Sequence, residues 1–149
     1  MTEREAPPVL AFSEGLIGCP DWQHFSLDRS PALAPLSLLV SADQPGVSLP
    51  AVSPWLVKHD YSPQLGEADR AALGSADDGD LEWLAILNIQ ADPLLVTANL
   101  LGPVVFNRRT GAARQVILSQ SGYSAAHSVG AAPAQDETEV TYARADATA

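Results

Sequence analysis

A run of apolar residues near the two-thirds point limits what this chain can become. Leu94–Asn107, LLVTANLLGPVVFN, is almost continuous, interrupted by Asn99 and by the Gly102-Pro103 pair. Crossing a bilayer takes roughly 20 mostly apolar residues, so the run belongs in a protein core. Val96, Thr97, Val104, Val105 and Phe106 favour extended backbone. A proline in mid-run removes a donor and restricts the residue before it, which argues against one long helix. The segment therefore predicts two consecutive strands, Leu95–Leu101 and Val104–Asn107, joined by a bend or bulge at Gly102-Pro103.

The next residues extend that pattern. Asn107–Gly111 is a polar turn closed by glycine, and Arg114–Leu118 is the expected return strand of a hairpin. The ordered series TANLLGPVVFNRRTGAARQVIL, followed by Ser121-Gly122-Tyr123-Ser124 and His127, resembles the C-terminal half of the FliW family of flagellar assembly factors. Near the other end, FSEGLIGCPDWQHFSL resembles the family's opening signature, a short strand entering a Gly-Leu-x-Gly loop. Cys19 stands where the family generally has an aromatic residue, and Trp22 is the nearby ring that would compensate. The resemblance covers about Val9–Val129.

Taken in order, Met1–Pro8 is a polar segment ending in two prolines and is expected to be a flexible leader. The first strand is expected from Val9. Gln23–Leu27 and Leu36–Ser41 have strand length and suggest a β-meander. Val47, Leu49, Val52, Trp55 and Val57 alternate loosely and are broken by Pro50 and Pro54, a pattern expected at a sheet edge. Gly66–Gly74 predicts a helix of about two turns, acidic in its first turn and ended by glycine. Ser75–Asp80 is an acidic turn. Leu81–Ile89 fits either a buried strand or a helical turn by periodicity; the resemblance favours a strand antiparallel to its successor in the chain. From Gly130 onward, Ala, Thr, Asp and Glu dominate, and residues 130–149 are expected to form a disordered acidic tail.

At 149 residues, 46% of them hydrophobic, the chain is long enough for one domain with a single core, and its twelve prolines imply short elements and many turns. Eight Lys and Arg against eighteen Asp and Glu give a formal net charge of -10, which opposes direct binding to nucleic acid and suits a basic protein partner. Cys19 is the only cysteine, so no internal disulfide forms, and without a nearby cationic cluster it reads as a small, half-buried apolar residue. The opening MTEREAPPVLAF lacks a basic region ahead of a sustained apolar core; no signal peptide is expected, and the cytoplasm is the expected compartment.

Reactive chemistry is sparse. His24, His59 and His127 are widely separated, with no second ligand at a zinc-like spacing. His59 and Asp60 are adjacent, and neighbours on a strand face opposite ways. There is no Gly-x-Ser-x-Gly elbow and no Gly-rich phosphate loop. No catalytic, metal or cofactor residue is therefore expected, and a small β-barrel hydrolase is the least favoured reading.

Asn99 stands out among leucines. It has two readings: an amide that satisfies backbone groups at the Gly102-Pro103 bend, or a polar contact offered to a bound protein. Glu67, Asp69, Asp77, Asp78, Asp80 and Glu82 cluster around the helix and adjacent turn, either as a solvated face or as a surface that steers a basic partner. Arg108 and Arg109 are expected to cap the hairpin turn in solvent. Trp55 and Tyr61 are aromatic residues for core packing or for anchoring a partner, with packing favoured for the tryptophan.

The resemblance implies an all-β, single-domain antiparallel pseudo-barrel with one or two short helices, acting as a monomer through protein binding rather than catalysis. It also implies two partners, newly made flagellin and the RNA-binding translational repressor CsrA. Free FliW sequesters CsrA and relieves repression of flagellin synthesis, while excess flagellin captures FliW and restores it. A flagellin-binding chaperone without the CsrA branch is the alternative.

Overall fold

The computed structural model describes residues 8–74 and 78–129. Among the described residues nine strands are present: β1 (Val9–Phe12), β2 (His24–Asp28), β3 (Ser37–Ser41), β4 (Ser48–Val52), β5 (Leu81–Gln90), β6 (Leu95–Ala98), β7 (Val104–Asn107), β8 (Ala112–Gln115) and β9 (His127–Ser128). The same residues include two short α-helices, α1 (Pro54–Val57) and α2 (Glu67–Ala72). The expected all-β pseudo-barrel with one or two short helices is the fold observed. The first residues of the expected leader and the tail from Gly130 lie outside the described residues.

The order β4-β3-β2-β1-β8-β7-β5, with β4 also paired to β5, closes seven strands on themselves. Closure leaves no unpaired edge in the ring. β1 to β4 form the expected antiparallel meander, with Leu10 opposite Phe25, Leu27 opposite Leu39, and Leu39 opposite Leu49. The seam is parallel: β1 meets β8 with Ala11 opposite Ala112 and Phe12 opposite Ala113.

By contacts the chain forms two compact units. The first takes the described parts of 1–52, 64–84 and 104–116. Its core gathers Leu10, Phe12, Phe25, Leu27, Leu39, Leu84, Val104 and Phe106, all nearly solvent-free. Alternation along β1 and β2 puts Leu10, Phe12, Phe25 and Leu27 on the buried face, and Phe12 and Phe25 meet edge-on at 5.5 Å between ring centres. Every residue of β7 is buried. This explains its unalternating sequence, VVFN, since a strand covered on both faces reads as a continuous apolar run.

Gly111 closes the β7–β8 hairpin with φ of +83°, and a Cβ there would stand 2.5 Å from the Val9 carbonyl oxygen. Only glycine allows that approach at the seam, where the Ala11 N–H donates to the Gly111 carbonyl at 2.8 Å. This is also why the return strand is Ala112–Gln115 and not the more apolar Arg114–Leu118. Its register is fixed by the glycine turn.

The second unit takes the described parts of 53–63, 85–103 and 117–149. β5 continues into it and pairs antiparallel with β6, as expected, placing Leu87 opposite Ala98 and Ile89 opposite Val96. β6 stops at Ala98, short of the expected Leu101. Thereafter the Asn99 N–H donates to the Ile86 carbonyl, and those of Leu100 and Leu101 to the Ser124 carbonyl, which bends the chain towards Gly102-Pro103. β9 flanks β6 on its other side.

Two expectations for Val47–Val57 are corrected. β4 is paired on both sides and is not a sheet edge. Trp55 and Val57 lie in α1 and not on an extended segment, because Pro54 opens that helical turn at its first position, where a missing N–H costs nothing.

Candidate partner-binding surfaces

The described members of the acidic set lie in the first unit. Glu67 and Asp69 occupy the first turn of α2, where negative charge suits the helix dipole. Asp69 is paired with Arg114 at 3.0 Å, and the same guanidinium reaches Glu14 at 3.1 Å. Asp80 is paired with Arg109 at 3.3 Å. Glu82 is paired with Arg29. Asp77 and the side chain of Asp78 lie outside the described residues. The cluster is thus a surface network in which three of the carboxylates carry an arginine from elsewhere in the chain, rather than a bare acidic face.

Arg108 and Arg109 do cap the turn in solvent. Arg108 donates to the Gly79 carbonyl. Asn107 sits beneath them with no exposed surface. Its Oδ1 accepts from the N–H groups of Arg109 and Thr110 at 2.9 and 3.3 Å, and its Nδ2 donates to the carbonyl of the buried Leu73 at 2.9 Å. One amide therefore orders the hairpin turn and fixes the end of α2 against β7.

Asn99 belongs to the second unit. Its Oδ1 accepts the Gly102 N–H at 2.8 Å, which is the bend-satisfying role. In the same unit Trp55, expected to pack in the core, is instead the more exposed of the two aromatic residues. Tyr61 is buried, and its hydroxyl donates to the Leu100 carbonyl at 2.7 Å, while Trp55 is 40% exposed. Burial, and then the nearby Tyr123, pushes the Tyr61 phenol far up, so it stays neutral. Tyr123 packs at a tilt 4.6 Å from Tyr61 and accepts the Ser62 N–H at 2.8 Å. Trp55 stands edge-on to Tyr61, with its Nε1–H held on the Tyr61 carbonyl at 2.8 Å. A tryptophan fixed in this way, beside the more exposed Leu56, is a rigid apolar anchor of the kind found at protein interfaces.

A histidine–carboxylate pair is present as well, between His24 and Asp43 at 3.4 Å. The second Asp43 oxygen accepts the N–H groups of Gln23 and His24, each at 2.8 Å, and those bonds hold its carboxyl below the usual range. Asp43 anchors a strand entry. Asp60 pairs with Lys58 at 3.1 Å. Among the described residues no group of three or more His, Cys, Asp and Glu is placed to hold a metal ion, and no helix is long and apolar enough to cross a membrane.

Sequence reasoning missed Asn107, the Arg114 bridge and Arg29 altogether. Their partners are 34, 100 and 53 residues away, and no local pattern encodes such pairings.

Comparison with known proteins agrees with this architecture. The family described as FliW protein matches residues 1–129. The flagellar assembly factor FliW of Pseudothermotoga lettingae is 38% identical over 122 residues, covering 81% of this chain and 78% of that protein. That of Bdellovibrio bacteriovorus is 34% identical over 119 residues, covering 80% and 68%. A crystal structure of the flagellar assembly factor FliW superposes with a TM-score of 0.77 over 90% of this chain and 92% of its own, and at 24% identity it shows a shared fold. The chain belongs to the FliW family of flagellar assembly factors.

Proposed function

We propose that this chain is a partner-switching regulator that binds newly made flagellin and sequesters the translational repressor CsrA, acting as a cytoplasmic monomer without chemistry of its own. Family membership carries the reading: relatives at 38% and 34% identity are named flagellar assembly factors. The net charge of -10 supports a basic partner such as an RNA-binding repressor, because opposite fields accelerate encounter and disfavour wrong partners. The switch is mass action. When flagellin accumulates it occupies the regulator, the free fraction falls, and CsrA is released to its RNA.

For the contacts, the acidic set Glu67, Asp69, Asp77, Asp78, Asp80 and Glu82 is assigned to the basic partner. The Asn99 bend is assigned as a polar contact in the other unit. Because Asp69, Asp80 and Glu82 already neutralise arginines, much of the steering falls to the overall charge. Pull-down with flagellin and with CsrA, at low and at high salt, tests the proposal. Capture of both, with the CsrA arm weakened by salt, is expected. Flagellin capture alone identifies the chaperone alternative, and capture of neither refutes both.

A further inference from the structure

Charge and exposed apolar surface are divided unevenly between the two units. Among the described residues, the second unit holds only Lys58, Asp60 and Asp92 of Lys, Arg, Asp and Glu. The described arginines, Arg29, Arg70, Arg108, Arg109 and Arg114, all belong to the first unit, as do the described members of the acidic set. Large apolar side chains that stand exposed go the other way: Trp55, Leu56, Ile89, Leu94, Leu95 and Ile117 lie in the second unit, against Val9, Ile17 and Val40 in the first. Leu56 is the most exposed of them at 64%, and Trp55 precedes it in α1.

That pair is fixed from within its own unit. Trp55, Tyr61 and Tyr123 form a row of rings, with successive centres 5.8 and 4.6 Å apart. Each ring satisfies its polar atom internally, on the Tyr61 carbonyl, the Leu100 carbonyl and the Ser62 N–H respectively. The backbone is tied as well: the Leu56 N–H donates to the Ser53 carbonyl at 3.0 Å, and the Lys58 N–H to that of Pro54 at 2.9 Å. Lys58 and Asp60 neutralise each other at 3.1 Å. Trp55 and Leu56 therefore offer solvent carbon surface on a preordered frame, without a free indole donor or an unbalanced charge beside it. Docking there loses little conformational freedom and favours an apolar partner. The two partners of the proposed switch differ in this respect. An RNA-binding repressor is basic and is drawn to charge, whereas a filament subunit not yet assembled carries the apolar surface that assembly buries. We propose that Trp55 and Leu56 are the docking point for an apolar segment of unassembled flagellin, on a different unit from the carboxylates assigned to the basic partner. This rests on the flagellin arm of the switch and adds where the contact is made and by what force.

Calorimetric titration of purified flagellin, and separately of CsrA, into the full chain and into Leu56→Asp and Leu56→Lys tests the assignment. Leu56 is exposed, so the circular dichroism spectrum and Tm of both variants should match those of the unaltered chain. Each variant is expected to bind flagellin at least about tenfold more weakly, whatever the sign of its charge, while Leu56→Asp keeps its CsrA affinity within about threefold. Flagellin binding unchanged in both variants overturns the docking point and leaves the switch standing. So does weakening by one charge with strengthening by the other, which marks an electrostatic contact. An equal loss of CsrA affinity in Leu56→Asp marks a shared surface and overturns it too. If the unaltered chain binds no flagellin, the flagellin arm of the switch falls and this inference with it. Should either charged variant fail to fold, Leu56→Gln takes its place: a loss of at least about threefold for flagellin alone supports the assignment, and no loss overturns it.

Discussion

Replacing Asn107 with alanine removes three hydrogen bonds from one buried position. The Leu73 carbonyl, on a residue with no exposed surface, loses the Nδ2–H that satisfies it at 2.9 Å. A buried acceptor left without a partner costs about 1 to 3 kcal/mol. The Arg109 and Thr110 N–H groups lose Oδ1, but both residues are exposed and water replaces it, so each adds about 0.5 kcal/mol. The expected loss is therefore about 2 to 4 kcal/mol, or a fall in Tm of about 6 to 12 °C near the middle of that range for a chain of this size. Urea unfolding followed by circular dichroism reads the first quantity, and a thermal scan the second. Asn107→Asp separates the two halves of the account. It keeps the acceptor for the turn but sets a carboxylate against the Leu73 carbonyl, and should be at least as damaging. If Asn107→Ala stays within about 0.5 kcal/mol of the parent, the amide does not join α2 to the hairpin and the reasoning is wrong.

Other perturbations reach different parts of the fold. Gly111→Ala should cost about 2 to 4 kcal/mol in urea unfolding, since φ is +83° and the new methyl would meet the Val9 carbonyl oxygen at 2.5 Å; an unchanged midpoint would contradict the seam geometry. Asn99→Ala should cost about 0.5 to 1.5 kcal/mol in the same assay by removing the bond that its Oδ1 accepts from the Gly102 N–H, whether or not a partner also uses this residue. Tyr61 binds its proton more tightly when folded. Its contribution should be complete below pH about 10 and decline as pH rises beyond, and Tyr61→Phe should flatten that alkaline decline in a pH series of unfolding curves. Asp43 has the opposite sign. Its lowered folded value makes its contribution present at neutral pH and lost as pH falls below the ordinary carboxylate range, so Asp43→Asn should flatten the acid side of the same series.

Local chemistry made much of this fold legible. Val104–Asn107 and its bend could be read because β-branched residues and a proline leave few alternatives, and α2 because glycine and acidic residues mark its ends. Closure of the ring was not legible. Pro50 and Pro54 signal a sheet edge in isolation, yet β4 finds partners on both sides and Pro54 opens a helix. The return strand was misplaced because Val116-Ile117-Leu118 looks more strand-like than Ala112–Gln115, whereas the glycine turn sets the pairing. At the candidate surfaces, the role of Asn99 at the bend was visible from its setting among leucines and an irregular turn. The arginines that neutralise the acidic set were not, because they arrive from the exit of β2, the hairpin turn and β8. The exposure of Trp55 was hidden for a related reason: hydrophobicity ranks tryptophan inward, but it is the Tyr61 phenol that reaches the Leu100 carbonyl.

On the proposed function, one molecule exchanges two protein partners. Fluorescently labelled CsrA titrated with this chain, and the complex then titrated with unlabelled flagellin, measures that exchange directly by anisotropy. The account predicts a rise as CsrA is captured and a return towards the free value as flagellin displaces it. An anisotropy that never rises, or a complex that flagellin leaves intact at saturation, would contradict it.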